Sequence, residues 1–162
     1  MKTSVAFLFL ISVFAVSCGK SGSDAGKLVE IYRFKTTRGP GPCKIDRSRA
    51  ELADTPFITN DAIRSYNKKE FEFLISDEAS KKTNSLIDNE ALAITVDKEV
   101  IYYCVHKPIY SSSTCGDEIS MDNSSRNKIR MYILNINPAN PVPDQRNDSR
   151  LINALAAQRK LK

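Results

Sequence analysis

An apolar run near the N-terminus indicates that the start of this 162-residue chain does not belong to its folded domain. The run, Val5–Val16, follows a single positive charge at Lys2. It has about a dozen residues, fewer than the ~20 that an α-helix needs to cross a bilayer. Its length, its positive start and the small residues Ala15–Ser17 are typical of an export signal peptide. The pattern therefore predicts that residues 1–17 are removed and that the rest acts outside the cytosol.

The residues that end this run resemble the lipobox of bacterial lipoproteins. The motif is Ala15-Val16-Ser17-Cys18, with Ala15 where that family more often carries leucine. The resemblance implies cleavage before Cys18 and acylation of its sulfur and amine, with palmitate among the chains, and several chains together give durable attachment. Gly19 stands where an aspartate would favour inner-membrane retention, so the resemblance implies the outer membrane, facing the periplasm. An ordinary secretory signal and a membrane span are the alternatives.

Two further parts follow the signal. Residues 18–27 are rich in glycine, serine and charge and predict a flexible tether. Such a tether spans about 17 Å from end to end, so the folded part stays close to the membrane. Residues 28–162 contain no internal repeat and have the length of one domain with a core of its own.

The chain is basic, with a formal net charge of +5 at pH 7. Lys2 is the only charged residue of the signal, so the mature chain carries one positive charge fewer. Charge without a nucleic-acid-binding motif does not indicate a nucleic-acid partner, and export argues against one. The alternatives are a solvated surface and a binding surface for another envelope protein, anionic head groups or an anionic polymer. The candidate surface residues are Arg38, Lys44, Arg47 and Arg49.

Four cysteines are present, and the predicted acylation uses one of them, Cys18. Thiols outside the cytosol tend to oxidise, so the simplest expectation is one disulfide and one odd cysteine. The pairing Cys104–Cys115 closes the shortest loop and is favoured. Pairing of Cys43 with either of the others stays open.

Hydropathy patterning predicts an α+β domain. Phe71, Phe73 and Ile75 alternate with acidic residues, which is typical of a half-buried strand. Ser76 is a suitable N-cap for a following helix, because its hydroxyl can accept from the first free N–H groups. We expect strands at Leu28–Phe34, Glu70–Ile75, Ala91–Val96, Val100–Val105 and Lys128–Ile136, helices at Asp77–Asn89 and from Ser149 onward, and loops at Thr36–Lys44, Ser120–Asn127 and Asn137–Asp148.

Part of the chain is similar to a known family. The order of Pro56–Ile63, the strand Phe71–Ile75, the helix with Lys82, and Ala91–Val105 followed by Pro108 resembles the head of the first periplasmic domain of the protein-export subunit SecD. The resemblance covers roughly residues 56–121. It implies a single ferredoxin-like domain, an antiparallel sheet with one packed helix, followed here by a C-terminal helix. It does not imply translocation activity, since function does not travel with such a fold.

Few residues suggest chemistry. His106 is the only histidine, and we expect it to be exposed at a strand end on the same face as Cys104. With Cys115 these two give the spacing C-x-H-x8-C, which matches no standard structural zinc site. Asp117 and Glu118 are adjacent, so we expect solvated charges and not a paired-carboxylate site. The sequence predicts no catalytic residue, no metal site and no cofactor.

The sequence therefore favours a non-catalytic envelope lipoprotein that binds or scaffolds another envelope protein or an anionic polymer. Residues Tyr110–Asp117 are expected to join the basic residues in this surface. The first alternative is an inhibitor or immunity protein against a secreted hydrolase. The second is a thiol- or metal-dependent enzyme that uses Cys104, His106 and Cys115.

Overall fold

A computed structural model describes residues 26–36, 45–111, 116–134 and 138–162 of the chain. Within these ranges the chain forms eight strands, two α-helices and a short 3₁₀-helix, Asn60–Ala62. The strands are β1 (Val29–Thr36), β2 (Glu51–Leu52), β3 (Ile63–Asn67), β4 (Glu72–Ile75), β5 (Ala91–Val96), β6 (Glu99–His106), β7 (Ile119–Asp122) and β8 (Lys128–Tyr132), and the helices are α1 (Asp77–Thr83) and α2 (Ser149–Ala157).

The eight described strands form one sheet in the order β2-β1-β5-β6-β7-β8-β4-β3. Every neighbouring pair is antiparallel except β6 and β7. The expected α+β class is therefore confirmed. The sheet is larger than a ferredoxin-like fold implies, and three strands separate β4 from β5. The expected unit of a helix between two nearby strands is thus absent from the described part, because β4 pairs with β3 and β8.

Strand β5 lies inside the sheet because both of its faces are apolar. All six of its residues are buried. Leu92, Ile94 and Val96 point into the main hydrophobic core. On the other face Ala93 lies in register between Tyr32 of β1 and Tyr103 of β6. The small residue leaves room for the two rings, so large and small side chains alternate along the strand.

A two-residue turn, Asp97-Lys98, joins β5 to β6. Asp97 and Lys98 both have positive φ, 51° and 66°, which is the backbone of the type I′ turn that suits the twist of a hairpin. The turn also holds the start of the domain. The Leu28 N–H donates to Asp97 Oδ1 at 2.7 Å, and the Asp97 N–H donates to the Leu28 carbonyl at 2.8 Å. The chain therefore enters the sheet at this turn.

Helix α2 covers the core side of β1 and β5. Leu151, Ala154 and Leu155 are fully buried there, and Ile152 is partly buried. Asp148 caps the helix by accepting from the Arg150 N–H at 2.9 Å. Neither of the two described helices has the length and apolar character needed to span a bilayer.

Helix α1 begins as predicted but is shorter than expected. Ser76 Oγ accepts from the Ala79 N–H at 3.2 Å, as an N-cap should. The helix ends at Thr83 and not at Asn89. Ser85 bonds back to the Lys82 carbonyl, and Ile87 is 70% exposed. Serine and asparagine compete for backbone hydrogen bonds in this way and weaken a helix, and no apolar stripe extends the burial that would hold it.

Three of the described strands, β2, β3 and β7, were not expected from the sequence, and β2 has only two residues. Strand β3 has only five residues, and β7 lies largely within the segment expected to be the polar loop Ser120–Asn127. Ser120 is fully buried in β7, which runs parallel to β6. Strand β7 was not predicted because a serine in a short segment favours a loop when sequence patterns alone are used.

The C-terminus covers the edge strand β3. The Tyr66 N–H donates to the Lys160 carbonyl at 2.7 Å, and the Lys162 N–H donates to the Tyr66 carbonyl at 2.8 Å. Lys160 Nζ also donates to the Asn60 carbonyl at 2.7 Å, and partial burial lowers the pKa of this lysine. A covered edge cannot pair with another chain. The last three residues thus protect one side of the sheet.

Deletion of Lys160–Lys162 is expected to destabilise the domain and to expose the edge of β3. Several backbone hydrogen bonds are lost, each worth about 0.5–1.5 kcal/mol. Urea unfolding should show a lower free energy of unfolding, and size-exclusion chromatography should show self-association. Lys162→Ala keeps the backbone bonds and is the control. A truncated chain that stays monomeric and equally stable would contradict the assignment.

Candidate binding groove

A groove of about 470 Å³ lies beside β8. The turn between β3 and β4 forms one wall, and the loop after β6 forms another. Its floor and walls are mostly apolar and include Phe71, Ile109, Met131, Tyr132 and Leu134. Its polar lining residues are Lys69, Glu70, Asp122, Arg130 and Arg146. An apolar cavity with a few convergent polar groups is the usual form of a binding site.

Phe71 lines this groove with a strained backbone. Its φ is 53°, a left-handed conformation that costs a residue with a Cβ about 1–2 kcal/mol. The Phe71 carbonyl accepts from the Met131 N–H at 2.8 Å, which fixes the turn against β8. Strain of this kind persists only where surrounding contacts enforce it, and it clusters at functional sites.

Arg146 supplies those contacts. Its guanidinium carbon lies 3.6 Å from the centre of the Phe71 ring, within the range of a cation–π interaction. Its Nε and Nη2 donate to Asp144 at 2.8 and 2.7 Å, and its Nη1 donates to the Met131 carbonyl at 3.2 Å. The contact lowers the pKa of the Asp144 carboxyl and raises that of Arg146. The arginine is therefore fully engaged and serves to position the Phe71 ring.

The charges at the rim are not evenly compensated. Arg130 pairs with Glu70 at 3.3 Å. Asp122 accepts from the Ile109 N–H at 3.2 Å and from the Ser124 N–H at 3.1 Å. Lys69 is exposed and has no charged partner among the described residues. The groove thus presents one ammonium group, at Lys69, and one carboxylate, at Asp122, that have no charged partner among the described residues. Lys69 beside the apolar floor is the group that suits a ligand with both an apolar and an anionic part.

The basic residues expected to form a binding surface lie elsewhere. Arg38 and Lys44 fall outside the described residues. Arg47 donates to Glu118 at 2.9 Å and lies 5.2 Å from the centre of the Tyr103 ring. Its charge is therefore partly neutralised within the protein. None of these contacts involves the lining of the groove.

Arg49 and Glu118 are two further residues that were singled out from the sequence. Arg49 is largely exposed and lies 3.7 Å from Asp46, a distance at which an exposed pair contributes little. Glu118 was expected to be solvated but is buried. Burial raises the pKa of its carboxyl, while Arg47 opposes the rise. The expectation was wrong because Arg47 and Glu118 are far apart in the sequence, so no local pattern indicates that they form an ion pair.

Only one of the four cysteines, Cys104, lies among the described residues. Cys18, Cys43 and Cys115 fall outside them. Cys104 is a free thiol with 0% exposure on the central strand β6, which does not agree with the favoured Cys104–Cys115 pairing. Burial raises the pKa of this thiol, so its reactive thiolate form is disfavoured. A pairing of Cys43 with Cys115 remains a prediction from the sequence.

His106 is buried, which corrects the expectation of an exposed strand end. Its Nδ1 lies 2.9 Å from the Ile87 carbonyl, and its Nε2 lies 2.9 Å from Asn123 Oδ1. Asn123 Nδ2 donates to the Thr83 carbonyl at 3.0 Å, which fixes the side of the amide that faces the ring. Both ring nitrogens are thus occupied in holding loops. Across the described part of the chain, no three His, Cys, Asp or Glu side chains are placed to hold a metal ion.

Sequence patterns did not identify the groove. Its residues come from four distant parts of the chain, and Phe71 had been assigned to the buried face of a strand. Arg146 lies in a proline-containing segment that was expected only to be extended. A strained φ and a stacked arginine leave no periodic signal. Only the pairing of β4 with β8 brings these residues together.

No protein-family model, curated protein or solved structure matches this chain. The groove is therefore interpreted from its own geometry.

Arg146→Ala is expected to destabilise the protein by about 1–3 kcal/mol, since it removes the cation–π contact and leaves the Met131 carbonyl without its donor. Arg150→Ala is the matched control. Arg150 pairs with Asp148 and Glu99 at the exposed surface, so the loss should be within about 1 kcal/mol. Urea unfolding of both variants measures the difference. Equal losses would show that the contact with Phe71 contributes nothing.

Proposed function

We propose that this chain is a non-catalytic envelope lipoprotein that binds an anionic partner at the groove. The partner is another envelope protein or an anionic polymer. Acyl chains on Cys18 hold this chain at the outer membrane. The similarity to the SecD domain belongs to the same proposal and rests on the order of the elements along the sequence, since the strand order of the sheet differs from a ferredoxin-like arrangement.

The observation that carries the proposal is the prepared state of the groove. Arg146 holds the Phe71 ring in place before any ligand arrives, at the cost of backbone strain. Lys69 stands beside this floor without a charged partner in the described ranges. A prearranged apolar surface lowers the entropy cost of binding, and a free cation selects the sign of the ligand.

The enzyme alternative receives less support from the same coordinates. Its thiol, Cys104, lies in the core with a raised pKa, and a nucleophile must be accessible and ionised. Its histidine, His106, uses both ring nitrogens for structural contacts. A general base needs one of them free toward the substrate.

The lipid anchor is tested by replacing the residue that would carry it. Cys18→Ser is expected to abolish acylation and to release the protein from the membrane fraction, because the thioether cannot form. Gly19→Asp should keep acylation and move the protein to the inner membrane. Intact-mass measurement and membrane fractionation check both. An unmodified, uncleaved N-terminus in the wild-type protein would overturn the anchor.

The groove is tested with poly-L-glutamate as a simple anionic polymer. We expect binding at low salt, weakened about fivefold or more by Lys69→Glu, because a repulsive charge replaces an attractive one. Arg49→Glu carries the same charge change at the basic residues expected from the sequence and serves as the control. Isothermal titration gives both affinities. Loss of binding in the Arg49 variant alone would place the site at those residues instead.

A further inference from the structure

Exposed apolar side chains gather at one end of the sheet. Among the described residues, four large hydrophobic side chains are exposed, and three of them are Ile87, Ile109 and Tyr110, at 70%, 76% and 79%. We call these three the distal patch. They lie on the loop between α1 and β5 and on the loop after β6. Contiguous exposed apolar residues of this kind mark interaction sites.

The two loops are held together, so the patch is prearranged. Ser111 Oγ donates to Asp88 Oδ2 at 2.8 Å. The His106 ring bonds the Ile87 carbonyl on one side and Asn123 on the other. The Ile109 N–H donates to Asp122. An exposed aromatic residue on a fixed loop binds at a small entropy cost, and tyrosine is frequent among the residues that dominate binding energy.

The patch lies at the end of the sheet opposite to the point where the chain enters. Leu28 bonds to Asp97 in the β5–β6 turn. The distal patch adjoins the other ends of these strands, at Ala91 and His106. Strand β6 runs between the two ends and covers about 23 Å at ~3.3 Å per residue. The distal patch and Leu28 therefore lie at opposite ends of these strands.

Two carboxylates flank the patch. Asp88 and Asp122 accept hydrogen bonds from its loops, and neither pairs with a described lysine or arginine. A second copy of the same face would bring like charges together in a two-fold interface. An anionic lipid surface would be repelled as well. A protein surface with an apolar pocket beside lysine or arginine satisfies both the side chains and the charges.

We infer that the distal patch is the docking surface for a second envelope protein, one that offers an apolar pocket flanked by basic residues. The location of the partner in the envelope rests on the proposed lipid anchor, whereas the chemistry of the patch does not. The distal patch adjoins the groove, because Ile109 and Asp122 line the groove as well.

A photoreactive phenylalanine analogue at position 109, in the full acylated chain within producing cells, tests this inference. Position 28 is the control, because Leu28 is the exposed apolar residue at the opposite end. We expect one discrete protein adduct from position 109, unchanged by Lys69→Glu, and none from position 28. Because Ile109 also lines the groove, an adduct that is lost in the Lys69→Glu variant would assign the partner to the groove and overturn the inference. The captured protein, identified and purified, should bind the wild-type chain with a Kd raised about tenfold or more by Tyr110→Ala. Asp88→Lys should weaken it too, while Leu28→Ala should not.

The other outcomes overturn the inference. A homodimer adduct would indicate a self-association surface, and lipid adducts from position 109 would indicate a membrane contact. An identified partner whose affinity is unchanged by Tyr110→Ala and Asp88→Lys would exclude the patch. Failure of the lipid anchor is separable: a protein that lacks acylation but keeps the position 109 adduct loses the proposed anchoring and keeps the docking surface.

Discussion

The two-sided burial of β5 is the constraint on which the rest of the structure depends. A strand with both faces covered must lie inside a sheet, and its neighbours must accept its register. Large residues fill the main core on one face, where α2 packs. Small residues on the other face leave room for Tyr32 and Tyr103. The register set by these contacts places the β5–β6 turn and Leu28 at one end and His106 at the other.

The groove shows how a polar group can hold an apolar surface in place. The Arg146 guanidinium could have bonded to water at little cost. It instead contacts Asp144, the Met131 carbonyl and the Phe71 ring. The gain is a fixed ring in a backbone conformation that glycine would adopt with less strain. A glycine at this position would remove the strain and also the ring. The combination is understandable if the ring itself is what a ligand contacts.

The elements with strong periodicity were predictable from the sequence, and the site was not. The strands β5 and β6, the cap at Ser76 and the helix that begins at Ser149 follow from local patterns, and the structure confirms them. Strand β7 was missed because serine, here Ser120, is frequent in loops. The end of α1 was misplaced because it depends only on the weak helix propensity of the residues after Thr83. The groove depends on the pairing of β4 with β8, which is a contact between distant parts of the chain. No local pattern contains that information.

The early end of α1 and the burial of His106 have a common consequence. Once the helix stops at Thr83, the chain must reach β5 through a loop, in which the Ile87 carbonyl accepts from the Glu90 N–H at 3.1 Å. The His106 ring bonds the same carbonyl and joins the loop to Asn123. The residue that had seemed the best candidate for catalysis is thus a structural link between two loops. The buried His106 ring holds the two loops on which Ile87 and Tyr110 are exposed. Exposed apolar side chains of this kind lower solubility but are suited to binding a partner.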